Sequence, residues 1–276
     1  MYKTLLVPVD GRPRSARSLE VACRIAETFD AHLVGLFVKP TPYVPSAVRA
    51  EGGGQLIEEA QRKAVQELSD EARARFDAAI KASGISRAEW RTAEGERAAA
   101  MALHARYADL VIVNQTDPNA DRASDFADEM LLAVGRPVLL VPYTGEQKTF
   151  AQNVLVCWNA SREAARAVTD ALPLLKGARM VTVLSVDGAS SASGHGDSPG
   201  SDIALFLARH GIKAEVARTT SGDVDAGNII LSRAFDLGAD LIVTGAYGHS
   251  RWREIVLGGV TRTLLYSMTV PVLMSH

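Results

Sequence analysis

Short apolar runs alternate along the chain with longer stretches of helical period. Lys3 to Val9 (KTLLVPV) is apolar and ends at Asp10 and Gly11, after which RSARSLEVACRIAETF carries apolar residues at helical spacing. This predicts strand, tight turn and helix. A second apolar run, His32 to Val38, completes a β-α-β unit with parallel strands and a right-handed crossover. Lys39 to Gln55 is rich in Pro and Gly and reads as a surface excursion, followed by a long exposed helix over Leu56 to Ala82 with Glu and Arg on its solvent face. Ser86 to Arg91 predicts a strand, Glu94 to Tyr107 a helix, and Asp109 to Asn114 (DLVIVN) a strand buried on both faces. Phe126 to Val134 then reads as helix and Pro137 to Val141 as strand, with polar Tyr143 to Ala151 as linker.

At Asn153 the pattern starts again. NVLVCWNASREAARAVTDALPLL parallels KTLLVPVDGRPRSARSLEVACRIA, ADLIVT from Ala239 parallels ADLVIV from Ala108, and the closing VPVLM parallels RPVLLV. Five strands alternating with four helices, twice over, predict tandem copies of one α/β unit, with domains at 1–145 and 151–276.

The length of 276 residues suits two such domains, and 47% apolar residues let either bury a core. With 30 basic and 32 acidic residues there is no broad attraction to nucleic acid or to an anionic membrane. Cys23 and Cys157 lack C-x-x-C spacing and read as reduced core residues, which points to a cytoplasmic setting. The absence of a signal-peptide pattern and of eighteen consecutive apolar residues sets the expectation of neither secretion nor a membrane span.

The chemistry concentrates in GAYGHSRWREIVLGG, Gly245 to Gly259. It leaves a predicted strand and leads into a helical pattern beginning near Val260. Gly245 and Gly248 allow positive φ and close backbone approach to a ligand, while Gly258 and Gly259 open a helix whose unpaired amides and dipole attract an anion. His249, Ser250, Arg251 and Arg253 add side-chain donors between them. The stretch therefore reads as a phosphate site, and Mg²⁺ would help neutralise a polyphosphate there.

The G-x-x-G, nine residues, G spacing, with VTRTLLYSMTVPVLM after it, resembles the ATP-binding branch of the universal stress protein family. The resemblance covers nearly the whole chain as a tandem two-domain form. It implies an α/β fold of two tandem, doubly wound, five-stranded parallel-sheet domains of the adenine nucleotide alpha hydrolase type, with strand order 3-2-1-4-5. It implies an adenine nucleotide in the second domain, ATP first, with ADP and AMP as alternatives. Gly259 stands where the family carries a Ser or Thr hydroxyl, and Thr261, two residues on, is the nearest substitute. Ligands of such sheets bind at the switch point beyond the strand ends, here between Asn159 and Gly245. The predicted contacts are Asn159, Val186, Gly245, Gly248, His249, Ser250, Gly258, Gly259, Val260 and Thr261. Asn159 reads equally as a ligand contact or as a helix cap.

The first half keeps Asp10, where ATP-binding members carry an Asp that contacts the nucleoside. It lacks the glycine loop and carries Asp117, Asp121 and Asp125 in that region. Its implied role is that of a built-in dimer partner through the edges Pro137 to Val141 and Pro271 to Met274. Three function classes stay open: a nucleotide-binding stress protein, a nucleotide-free scaffold with an unknown protein partner, and a slow ATP hydrolase. No Walker lysine follows the glycines, and no histidine spacing suggests a metal.

Overall fold

The computed structural model describes residues 1–11, 15–46, 54–116, 126–145, 149–186, 200–247 and 258–276. Among these, ten strands alternate with eight helices. The first repeat comprises β1 (Thr4–Pro8), α1 (Ser15–Phe29), β2 (His32–Lys39), α2 (Gly54–Ser83), β3 (Ala88–Glu94), α3 (Arg97–Ala105), β4 (Leu110–Asn114), α4 (Phe126–Ala133) and β5 (Val138–Val141). The second comprises β6 (Asn153–Cys157), α5 (Arg162–Leu175), β7 (Met180–Val186), α6 (Ser201–Arg209), β8 (Ala214–Thr219), α7 (Ala226–Asp236), β9 (Leu241–Gly245), α8 (Gly259–Ser267) and β10 (Val272–Ser275).

By internal contacts the chain divides into two compact units, one of Tyr2–Val113 and one of Asn114–His276 with Met1. In the first unit β2 and β4 flank β1, and β3 adds to β2, all parallel. The first repeat has the order 3-2-1-4-5. In the second unit β10-β9-β6-β7-β8 run parallel in the same order, and β5 joins β10 antiparallel with Leu140 opposite Val272. That last pairing is why β5 groups with the second unit.

The central strands are apolar throughout because helices cover both faces. Leu110, Ile112, Leu139, Leu140, Leu155, Leu241 and Ile242 are fully buried. Helix α5 starts at Ser161, whose Oγ accepts from the Ala164 N–H at 3.1 Å. Its buried stripe of Ala164, Ala167, Val168, Ala171, Leu174 and Leu175 has the 3.6-residue period and is half alanine, which lets the helix lie close on the sheet. Helix α2 buries little: Gly54, Ser69, Ala72 and Phe76. Its outer face carries i,i+4 pairs such as Arg62 with Glu58 at 2.6 Å and Arg73 with Asp77 at 3.3 Å.

Strand β3 runs three residues further than its sequence pattern predicts and begins two later. Its register against β2, from Leu33 opposite Ala88 to Lys39 opposite Glu94, sets the ends, and its polar residues hide a half-exposed edge strand.

The repeated Ala-Asp-Leu has a repeated purpose. Asp109 accepts from the Lys3 and Thr4 N–H groups at 2.6 and 3.0 Å, and Asp240 from those of Gln152 and Asn153 at 3.1 and 2.9 Å. Each carboxylate pins the start of its repeat's first strand. Asp240→Ala strands two backbone donors beside a buried position and is expected to lower unfolding free energy by about 2 kcal/mol in a urea titration. A loss below about 0.5 kcal/mol would show that water replaces the clamp.

Candidate functional site

In the second unit, the carboxyl ends of β6, β7 and β9 and the amino ends of α7 and α8 enclose a pocket of about 220 Å³. The switch point causes this opening: the chain leaves β6 toward β7 on one side, while β9 lies on the other. Cys157, Trp158 and Asn159 line it from β6, Leu184 and Val186 from β7, and Thr244, Gly245 and Tyr247 from β9. Ala226 and Ile230 of α7 and Gly258 to Thr261 of α8 close it. Two helix amino ends thus meet at one pocket, each a positive dipole end, α7 capped by the Asp225 side chain and α8 with no side-chain cap. None of the described lining residues is cationic.

Of the residues singled out in the sequence, Asn159, Val186, Gly245, Gly258, Gly259, Val260 and Thr261 come together here. Gly248, His249, Ser250, Arg251 and Arg253 lie outside the described residues, as do Asp117, Asp121 and Asp125. Asn159 Oδ1 accepts from the Ser161 N–H at 3.1 Å, so it shapes the turn into α5, while Ser161 itself is the cap. Gly258 is the residue before α8, with φ −57° and ψ 138°, and supplies no side-chain cap. Thr261 is buried, and its Oγ1 accepts from the Tyr247 N–H at 3.3 Å.

Gly245 differs in its reason from the sequence reading. It is the last residue of β9, paired with Ser275, and is not among the glycines of positive φ. A Cβ there would lie 2.6 Å from Ala164 N and Glu163 C, so the glycine lets the first turn of α5 press against the strand. Among the described residues of this turn the left-handed one is Tyr247, at φ 61°. A bulky residue in that region is rare and marks a strained turn. The Tyr247 ring meets His276 edge to face at 5.7 Å, and its buried hydroxyl has no hydrogen-bond partner among the described residues.

The electrostatics follow from burial. Burial pushes the Cys157 thiol up to about 12, so it stays a neutral wall residue. Burial first, then the charges of Asp128 and Tyr266, raise the Tyr247 phenol. At Glu163 burial works upward, but the Arg162 guanidinium bonded to it and nearby donors outweigh that and hold the carboxyl below its ordinary value. Among the described residues no cluster of His, Cys, Asp or Glu is able to hold a metal ion, and no helix is long and apolar enough to cross a membrane.

Sequence reasoning missed Trp158, Leu184, Ala226, Ile230, Thr244 and Tyr247, and read Cys157 only as a core residue. Trp158 and Tyr247 had a readable signal, an aromatic residue just past a predicted strand. Ala226 and Ile230 had none.

At the equivalent place in the first unit, Asp10 faces Arg97 of α3 at 3.7 Å. Gly11 packs so closely on α2 that a Cβ would meet Leu68 at 3.1 Å. The chain's own side chains lie against the loop after β1 there, and Arg97 holds the first helical position that Ala226 holds in α7.

A family model described as the universal stress protein family matches residues 1–142 and 151–276. No curated protein matches the sequence. Among solved structures, a universal stress protein from Archaeoglobus fulgidus DSM 4304 is similar over 99% of this chain and 97% of its own, with TM-score 0.74 and 17% identity. A functionally unknown protein from Pseudomonas aeruginosa PAO1 is similar over 99% of this chain and 92% of its own, with TM-score 0.63 and 16% identity. At such identities the likeness is one of fold.

Proposed function

Since this chain belongs to the universal stress protein family, we propose that it binds an adenine nucleotide in its second repeat and that the first repeat serves as a built-in structural partner. The observation that carries this reading is the pocket at the switch point of β6 and β9, where the amino ends of α7 and α8 meet. A planar base suits the apolar side formed by Trp158, Leu184, Val186 and Ile230. Asn159 retains an amide donor for a ribose or base edge, and the Gly258 to Val260 amides are the donors for phosphate. By the glycine spacing, Gly248, His249 and Ser250 are the further donors of this reading. The partner role rests on the antiparallel β5–β10 pairing, which covers both strands' open backbone.

Titration calorimetry of nucleotide-stripped protein with AMP and with ATP tests the reading. About one equivalent is expected to bind. Ala226→Trp, which fills the pocket wall without adding charge, is expected to weaken binding at least about tenfold, or 1.4 kcal/mol. Undiminished binding in this variant would move the site elsewhere. Absence of heat at millimolar nucleotide would leave the pocket without its proposed ligand.

A further inference from the structure

We propose that Thr261 and Tyr247 are a positioning pair for the pocket: the Thr261 oxygen, by accepting the Tyr247 N–H, holds the chain leaving β9 in a left-handed turn and so fixes the start of α8 against the end of that strand. This rests on the nucleotide reading above and assigns Thr261 a role through Tyr247 within the same site.

Among the described residues, Asp30, Ala151, Ala160 and Tyr247 have positive φ without being glycine, and of these only Tyr247 carries a ring. A bulky residue keeps that conformation only where its surroundings impose it. Here three contacts do so. The Tyr247 N–H reaches Thr261 Oγ1 at 3.3 Å, which joins the end of β9 to the first turn of α8. The Tyr247 ring stands edge to face on His276 at 5.7 Å, and His276 Nδ1 donates to the Ala246 carbonyl at 3.2 Å. Ala246 is itself fully buried, and its N–H donates to the Ser275 carbonyl at 2.9 Å. The phenol hydroxyl takes no part, since it has no hydrogen-bond partner among the described residues. Both members of the pair line the pocket, together with Gly258, Gly259 and Val260.

The left-handed turn makes the Thr261 bond count. Without such a bond a non-glycine residue enters this region only roughly a few per cent of the time, whereas glycine enters it about as readily as the rest of its range. Affinity scales with the fraction of molecules whose site is already formed. Loss of the bond therefore weakens binding strongly where residue 247 resists the turn and weakly where it does not. A hydroxyl that served only as a direct ligand contact would be worth the same in either case.

The test is a double-mutant cycle read by calorimetric titration with ATP. Thr261→Val, which keeps the shape of the buried side chain and removes its acceptor, is expected to weaken ATP about tenfold in the native background. In the Tyr247→Gly background the same change is expected to cost no more than about threefold. Thr261→Ser, which retains the oxygen, is expected to bind within about threefold of native. Equal losses in the two backgrounds overturn the inference, and so does loss of all binding in Tyr247→Gly, which would make the ring itself the contact. Hydrogen exchange on the ligand-free chain reads the pair independently: the Tyr247 amide is expected to exchange at least about tenfold faster in Thr261→Val and at the native rate in Thr261→Ser. An unchanged rate in Thr261→Val overturns the pair even if binding falls. If the native chain binds no ATP the nucleotide reading fails, while the exchange rates still decide whether Thr261 holds the turn, so the two failures are told apart.

Discussion

Gly245→Ala is expected to destabilise the second repeat by about 3 kcal/mol, at the upper end of what an added methyl in a packed interior costs. The added Cβ meets backbone at 2.6 Å, the Ala164 nitrogen and the Glu163 carbonyl carbon, and no rotamer change relieves that. Relief requires α5 to withdraw at its first turn, where Ser161 caps Ala164 and Asn159 holds Ser161. Urea unfolding followed by far-ultraviolet dichroism gives the cost, and a loss under about 1 kcal/mol would show that the helix start yields freely. The same retreat carries Asn159 off the pocket, so nucleotide affinity is expected to fall in the folded fraction as well. For stability Gly258→Ala is the control, because its added methyl meets no heavy atom of the described residues within 4 Å.

Phe76→Ala is expected to cost about 4 kcal/mol, as full removal of a buried aromatic does. Among the described residues Phe76 is the only large apolar side chain that the thirty-residue α2 buries. Its ring stacks at a tilt on Trp90 with centroids 5.5 Å apart and fills the space over Gly35, where a Cβ would approach the ring to 2.6 Å. With the rest of α2 tied to its surroundings by exposed hydrogen bonds such as those of Gln61 with the Tyr43 backbone, truncation is expected to release the helix before the sheet unfolds. Hydrogen exchange is the measurement. Amides of Leu68 to Ala79 should lose protection while those of β1 and β4 keep it, and unchanged protection in α2 would mean that Ala72 and Ser69 suffice to hold it.

The α/β repeat was readable because its physical causes are local. Continuous apolar runs such as DLVIVN occur only where helices cover both faces of a strand, and the recurrence of Ala-Asp-Leu reflects a clamp that each repeat needs. β3 was harder to bound, since a half-exposed edge strand keeps polar residues on both faces and its ends are set by the neighbouring strand. In the pocket, the glycine spacing and the residue after β6 were legible as chain geometry. The reason for Gly245 was not, because it lies in a helix some eighty residues away in sequence.

The pairing of β5 with β10 also sets a timetable. Val138–Val141 is complete when its half of the chain has been made, yet its partner Val272–Ser275 follows only after every other element of the second repeat. At typical ribosomal speeds the interval is roughly ten seconds. Throughout it the nascent chain carries an apolar strand with one backbone edge unpaired, and neighbouring chains on the same messenger carry identical ones. A chaperone that shields β5 during this interval would raise the yield of correctly closed chains without altering the stability of the finished protein.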